Sequence, residues 1–295
     1  MKENKPKIER LGLREKLGKL RQKQENSFTP IFFHRPAAIL FLLPLVDIQW
    51  ITPNRLTTVS ILFRLVAAAL LWPSEWGGVE GTPLALWSMA ILWNVGGILD
   101  AADGTLARYR QTGSAFGRFY DKVSDRLLTL CFMMALSART MLITGEIRYI
   151  FIAFVYVAMM SASSVAKWIE TGIMADLGTG SAADPDEVEA DVRTPLEWVK
   201  YWLWSLRTIF VVTEMDLPFW VSVAVLTTKE TWLFSYLAVV TVPYALIAIS
   251  VRGVRLYRLD VASLQSDADL DRSDLDRSPI SSIKEVVETP SVRGK

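Results

Sequence analysis

Long apolar runs separated by short polar links make up most of the chain. Runs of roughly 17–25 residues, enough for a helix to cross a hydrocarbon layer of ~30 Å, are read at Leu56–Trp72, Pro83–Arg108, Gly117–Met141, Arg148–Ile169, Trp198–Thr227 and Thr231–Leu256. Lipid cannot satisfy an open backbone, so each run must close its hydrogen bonds as helix. The pattern predicts an all-α, polytopic membrane protein with six transmembrane helices. Thr52 before Pro53 is a good start for the first: a hydroxyl cap, then proline where no amide donor is missed.

Two weaker patterns precede the first span. Ile8, Leu11, Leu13, Leu17 and Leu20 fall on one broad side of a helix and Arg10, Arg14, Lys16, Arg21 and Lys23 on the other. This predicts an amphipathic juxtamembrane segment lying on an anionic membrane surface, against the alternative of a solvated basic tail. Ala37–Val46, bounded by Pro36 and interrupted by Pro44, is too short to span and reads as interfacial. At the other end, Ser, Asp and Arg take over from Val261, a composition that cannot bury enough apolar surface to order itself. The organisation is then a basic interfacial segment over 1–50, a six-helix domain over 51–257 and a disordered cytoplasmic tail over 258–295.

Composition supports this division. Of 295 residues, 51% are hydrophobic before glycine is counted, with Trp 11 and Phe 13, whereas soluble chains reach ~45–50% only with glycine included. A soluble enzyme is therefore not expected. A net charge of +1 gives no reason to expect nucleic acid as a partner. Lys and Arg gather before the first span (Arg35, Arg55), between the second and third (Arg108, Arg110, Arg118) and after the sixth (Arg252, Arg255, Arg258), so the positive-inside rule puts both termini in the cytoplasm of a multi-pass inner (cell) membrane protein. The acidic link from Ala175 to Thr194 runs against net charge on that side, but Lys167, Arg193 and Lys200 flank it. The apolar run starts too far into the chain for a cleaved signal peptide. Cys131, the single cysteine, reads as a core residue, and His34, the single histidine, as structural. Glu214 and Asp216 have no evident role at this level.

The chemistry lies in four acids. Asp100 and Asp103 close the second span and Asp121 and Asp125 open the third. At 100° per residue the first pair lies ~60° apart and the second ~40° apart, so each pair shares a helix face. A short link makes the helices antiparallel, which brings all four acids to one end of the bundle. Charged groups at such depth are costly, and four anions repel one another, so cations must offset them. An all-oxygen set suits hard divalent cations, Mg2+ or Mn2+, and two adjacent ions would use all four carboxylates; the lack of nearby His or Cys argues against zinc. Gly104, Ala107, Gly113 and Gly117 surround the acids as small residues for close packing or a flat ligand. Arg108, one turn beyond Gly104, is placed either to clamp phosphate or to anchor the helix at the cytoplasmic face.

Read together, Asp100 to Asp125 is D-x2-D-G-x2-A-R-x8-G-x3-D-x3-D, which resembles the signature of the CDP-alcohol phosphotransferase (CDP-alcohol phosphatidyltransferase) family. Thr52–Pro53–Asn54 and Thr57 extend the resemblance more loosely, and the six-helix layout fits it over residues 50–257. The resemblance implies a transferase that moves the phosphoryl-alcohol part of a CDP-alcohol, usually CDP-diacylglycerol, to an acceptor hydroxyl with release of CMP. It implies that Asp100, Asp103 and Asp121 bind metal, that Asp125 shares the second ion and acts as general base, and that Gly104, Ala107 and Gly117 leave room for cytidine while Arg108 holds the donor phosphates. It also implies a homodimer among membrane lipids.

The acceptor is open among glycerol phosphate, inositol phosphate, serine and other small or phosphorylated alcohols. Ser161–Gly172, reading SASSVAKWIETG, holds one cation, Lys167, where relatives with phosphorylated acceptors carry several; Arg193 and Arg207 could add phosphate contacts or serve as interfacial anchors. A reading from another class is a cation transporter with carboxylates along an ion path, which predicts midplane acids and broken helices. A noncatalytic scaffold has no use for four costly charges.

Overall fold

A computed structural model describes residues 12–20, 27–178 and 215–276, with isolated positions between 196 and 213. The described residues are mostly helical, with no strand among them. In chain order they form α1 (Leu13–Leu20), α2 (Pro30–Leu42, opening with a π-turn over Pro30–His34), α3 (Pro53–Leu71), α4 (Pro83–Arg110), α5 (Ala115–Thr144), α6 (Arg148–Asp176), α7 (Leu217–Leu226), α8 (Glu230–Tyr236) and α9 (Val242–Asp276). A π-turn over Leu237–Thr241 joins the last two.

Local chemistry sets the helix ends. The Thr52 hydroxyl accepts the Arg55 amide at 3.4 Å with Pro53 in the first turn; Thr82 and Pro83 repeat the arrangement at α4, and Ser114 accepts the Gly117 amide at 3.0 Å at α5. Gly145, with φ +75°, closes α5 in the left-handed conformation that a glycine adopts without strain.

Among the described residues, five stretches are long and apolar enough to cross a membrane: Pro53–Leu71, Pro83–Arg110, Ala115–Thr144, Arg148–Asp176 and Glu230–Val261. Their outward faces carry Leu62, Leu65, Trp87, Ile91, Phe151 and Phe154 exposed, an apolar surface that water would not tolerate and lipid does. The chain is a multi-pass membrane protein. Of the predicted fifth span only the end is described, as the ten-residue α7, too short to cross by itself; most of residues 198–211 lie outside the described part of the chain.

Two apolar clusters hold the unit that runs to Ile247. One joins Ala67 and Leu71 of α3, Met89 and Trp93 of α4, Phe132 and Leu136 of α5, Tyr156 of α6, Val221 of α7 and Phe234 of α8, with the Trp93 and Phe132 rings stacked at 3.6 Å. The other joins Leu20, Ala38, Leu42 and Val46 to Leu56, Leu99, Ala102 and Leu106. The N-terminal segments are thus seated on protein rather than only on a membrane surface. Lys16 pairs with Asp47, and Arg110 donates to the backbone carbonyls of Val46, Ile48 and Ile51, fastening the link between α2 and α3 to the end of α4. Asp216 finds its role here: fully buried, it accepts the Thr29 amide at 2.6 Å and the Thr213 amide and hydroxyl, tying the start of α2 to the start of α7. Glu214 lies outside the described residues.

The second unit starts at Ala248 and is helical to Asp276. A helix already nucleated in an apolar stretch extends at one hydrogen bond per residue, which a polar sequence can sustain.

Candidate active site

The acid-bearing segments meet where α3 begins, α4 ends and α5 begins. Counting helical rise from those ends, Thr57, Asp103 and Asp121 lie about 6, 10 and 9 Å in, whereas Arg64, Asp100 and Asp125 lie about 15–16 Å in. The acids therefore occupy two levels rather than one. Oxygens of Asp100, Asp103 and Asp121 come within 4.8 Å of one another, a spacing at which one cation could touch all three. Asp103 is buried and accepts the Thr57 hydroxyl, which turns its carboxylate toward that group. Asp121 is more exposed and has Lys122 Nζ at 3.6 Å.

Asp125 is on the inner level and engaged elsewhere. Arg64 Nη1 donates to its Oδ1 at 2.8 Å, and Arg64 Nη2 lies 3.2 Å from Asp100 Oδ2. Arg64 comes from the middle of α3 and was not singled out by the sequence reading, although a charge within an apolar span is by itself a pointer to function. Its stem fits against Gly96, where an added Cβ would stand 2.6 Å from Arg64 Cγ. The next residue, Gly97, receives the His34 ring in the same way, its Cβ position 2.6 Å from His34 Cε1. Burial foremost, and then the Arg64 charge, push His34 down to about 4.

The expected nucleotide-side residues line the same end. Arg108 reaches back over Gly104, an added Cβ at Gly104 lying 3.5 Å from its Nη1, and Ala107 is partly exposed beside it. Gly117 faces Asn54, its Cβ position 3.6 Å from Asn54 Oδ1. Of the acceptor candidates, Lys167 lies on α6 three residues after Ser164, whose hydroxyl accepts a hydrogen bond from Arg126. Arg126 follows Asp125 directly and is a second cation the sequence reading did not pick out. Arg193 and Arg207 lie outside the described residues.

The CDP-alcohol phosphatidyltransferase family matches residues 50–182, a stretch holding α3 to α6, the four acids and Arg64. Those residues are similar to a domain of that family. Over 81 residues the chain is 35% identical to the CDP-diacylglycerol–glycerol-3-phosphate 3-phosphatidyltransferase of Bacillus subtilis (strain 168), a match covering 26% of this chain and 42% of that protein. The chain thus spans less than half the length of this curated relative. Within the matched residues, the signature acids of α4 and α5 are the ones gathered around Arg64 and Thr57.

Proposed function

We propose that the protein transfers the phosphatidyl group of CDP-diacylglycerol, or the phosphoryl-alcohol group of a related CDP-alcohol, to an acceptor hydroxyl, releasing CMP. The observation that carries the proposal is the convergence of Asp100, Asp103 and Asp121 within 4.8 Å beside Asp125, in a family-matched domain. An all-carboxylate set fits Mg2+ or Mn2+: Asp100, Asp103 and Asp121 would hold one ion, and Asp121 and Asp125, a turn apart on one face, a second. Such ions neutralise the charge of the pyrophosphate and make CMP a better leaving group.

The protein supplies position and a proton sink. Arg108 binds the donor phosphates as Gly104 and Gly117 leave room for the cytidine. The acceptor oxygen attacks the phosphorus that carries the lipid alcohol, the bond from that phosphorus to the oxygen of CMP breaks, and the acceptor proton passes to the carboxylate of Asp125. No covalent enzyme intermediate is needed. Both termini and the acid end face the cytoplasm of the inner membrane, where the water-soluble acceptor arrives, and the protein works as a homodimer. Glycerol 3-phosphate leads among acceptors: the Bacillus subtilis relative is named for it, and Arg126 with Lys167 offers cations for its phosphate.

Purified protein given CDP-diacylglycerol, Mn2+ and glycerol 3-phosphate, inositol phosphate or serine in turn should yield CMP and one new phospholipid in equal amounts, fastest with glycerol 3-phosphate. No CMP with any member of the panel would refute the transferase; faster turnover with serine would refute the acceptor. Mn2+ transport into vesicles without CMP release would favour the carrier reading.

A further inference from the structure

The proposed chemistry treats the four acids as a set to be neutralised by metal, yet the inner level already has a cation. Arg64 is 8% exposed, spans Asp100 and Asp125 with its two terminal nitrogens, and its buried Nε has no hydrogen-bond partner. Its position is fixed by shape as well as charge. The Cγ sits in the notch left by Gly96, at a place where any larger residue on α4 would collide, and Ser60 of α3 closes the same corner by donating to the Gly96 carbonyl at 2.8 Å. The neighbouring notch at Gly97 is filled by His34, so the guanidinium has no second pocket there to swing into. Moving it off Asp125 would leave a buried charge without its partner, an arrangement proteins avoid.

These facts give the two ion positions different competitors. The position among Asp100, Asp103 and Asp121 shares one carboxylate with Arg64, and by the longer of its two ion pairs, 3.2 Å to Asp100 against 2.8 Å to Asp125. A position that uses Asp125 must displace or share the guanidinium. We propose that Arg64 is a resident counter-cation of the acid cluster that makes the site fill unequally, the three-carboxylate position first and the Asp125 position only where an ion outcompetes the arginine. This rests on the ion-binding reading above and adds an order to it: the second ion would bind weakly as long as Arg64 holds Asp125, and more tightly once the anionic donor substrate is present. Arg64 acts through Asp125 and Asp100 and is a positioning residue.

The test is a Mn2+ titration of the full-length protein in detergent, without nucleotide, following free Mn2+ by electron paramagnetic resonance. Wild type should bind one ion, or two with Kd values at least tenfold apart. Arg64→Met should tighten the weaker class at least tenfold, a gain that misfolding cannot produce; Arg64→Lys, which keeps the charge, should leave it weak; and Asp125→Asn should remove the weak class and spare the strong one. Two equal classes in wild type would overturn the inference without touching the transferase reading, as would an Arg64→Met variant whose titration matches wild type. Absence of any Mn2+ binding would overturn both.

Discussion

Thr57 and Arg64 are the side chains of α3 seen to reach the acids, and they act at different depths. Thr57 serves the outer level: its hydroxyl donates to Asp103, and if Asp103 ligates an ion as proposed, a carboxylate held by a neighbour in this way is pre-aimed at it. Thr57→Val removes the donor with little change in volume, so the strong Mn2+ class should weaken by about tenfold, the lower end of what such supporting contacts are worth; an unchanged Kd would show that the bond does not orient Asp103. The acids themselves could be read from sequence because spacing on a helix fixes a shared face. Arg64 escaped because its partners lie on two other helices, and only its lone charge inside an apolar span marks it. The division of the acids into two levels is a matter of helix ends, which periodicity locates poorly.

At the level of elements, the starts of α3 and α4 follow from hydroxyl and proline pairs, and the sequence shows both. The seating of α1 and α2 does not follow, since an amphipathic helix has the same pattern whether its apolar side meets lipid or protein. What decides is the complementary surface: Leu99, Ala102 and Leu106 on α4, and the adjacent glycines 96 and 97 that admit Arg64 and His34. His34 gives this docking a pH signature. An unfolded chain takes up the imidazole proton near 6.5 and the folded one only near 4, so the stability contributed by neutral His34 is complete above 6.5 and declines as the pH falls toward 4. Thermal midpoints in detergent should fall across that window, and fall less in His34→Gln; parallel curves for the two proteins would mean that the histidine is not buried against α4.

In the unit that runs to Ile247, helices with exposed apolar faces carry the acids at one end, where under the proposed function a lipid donor and a water-soluble acceptor would meet. Among the described residues five stretches are long enough to cross, and of the fifth of the six spans predicted from hydropathy α7 is the continuous part described, so the fold was legible as a class before it was legible as a count. The central claim is that acids from α4 and α5 act as one ion-binding group in phosphoryl transfer. Its most direct test is Mn2+-dependent CMP release from CDP-diacylglycerol in the presence of acceptor, wild type against Asp121→Asn. The variant should stay monodisperse and lose about a hundredfold or more in rate, the scale of removing one electrostatic contact to a developing charge; CMP release at the wild-type rate would contradict the account.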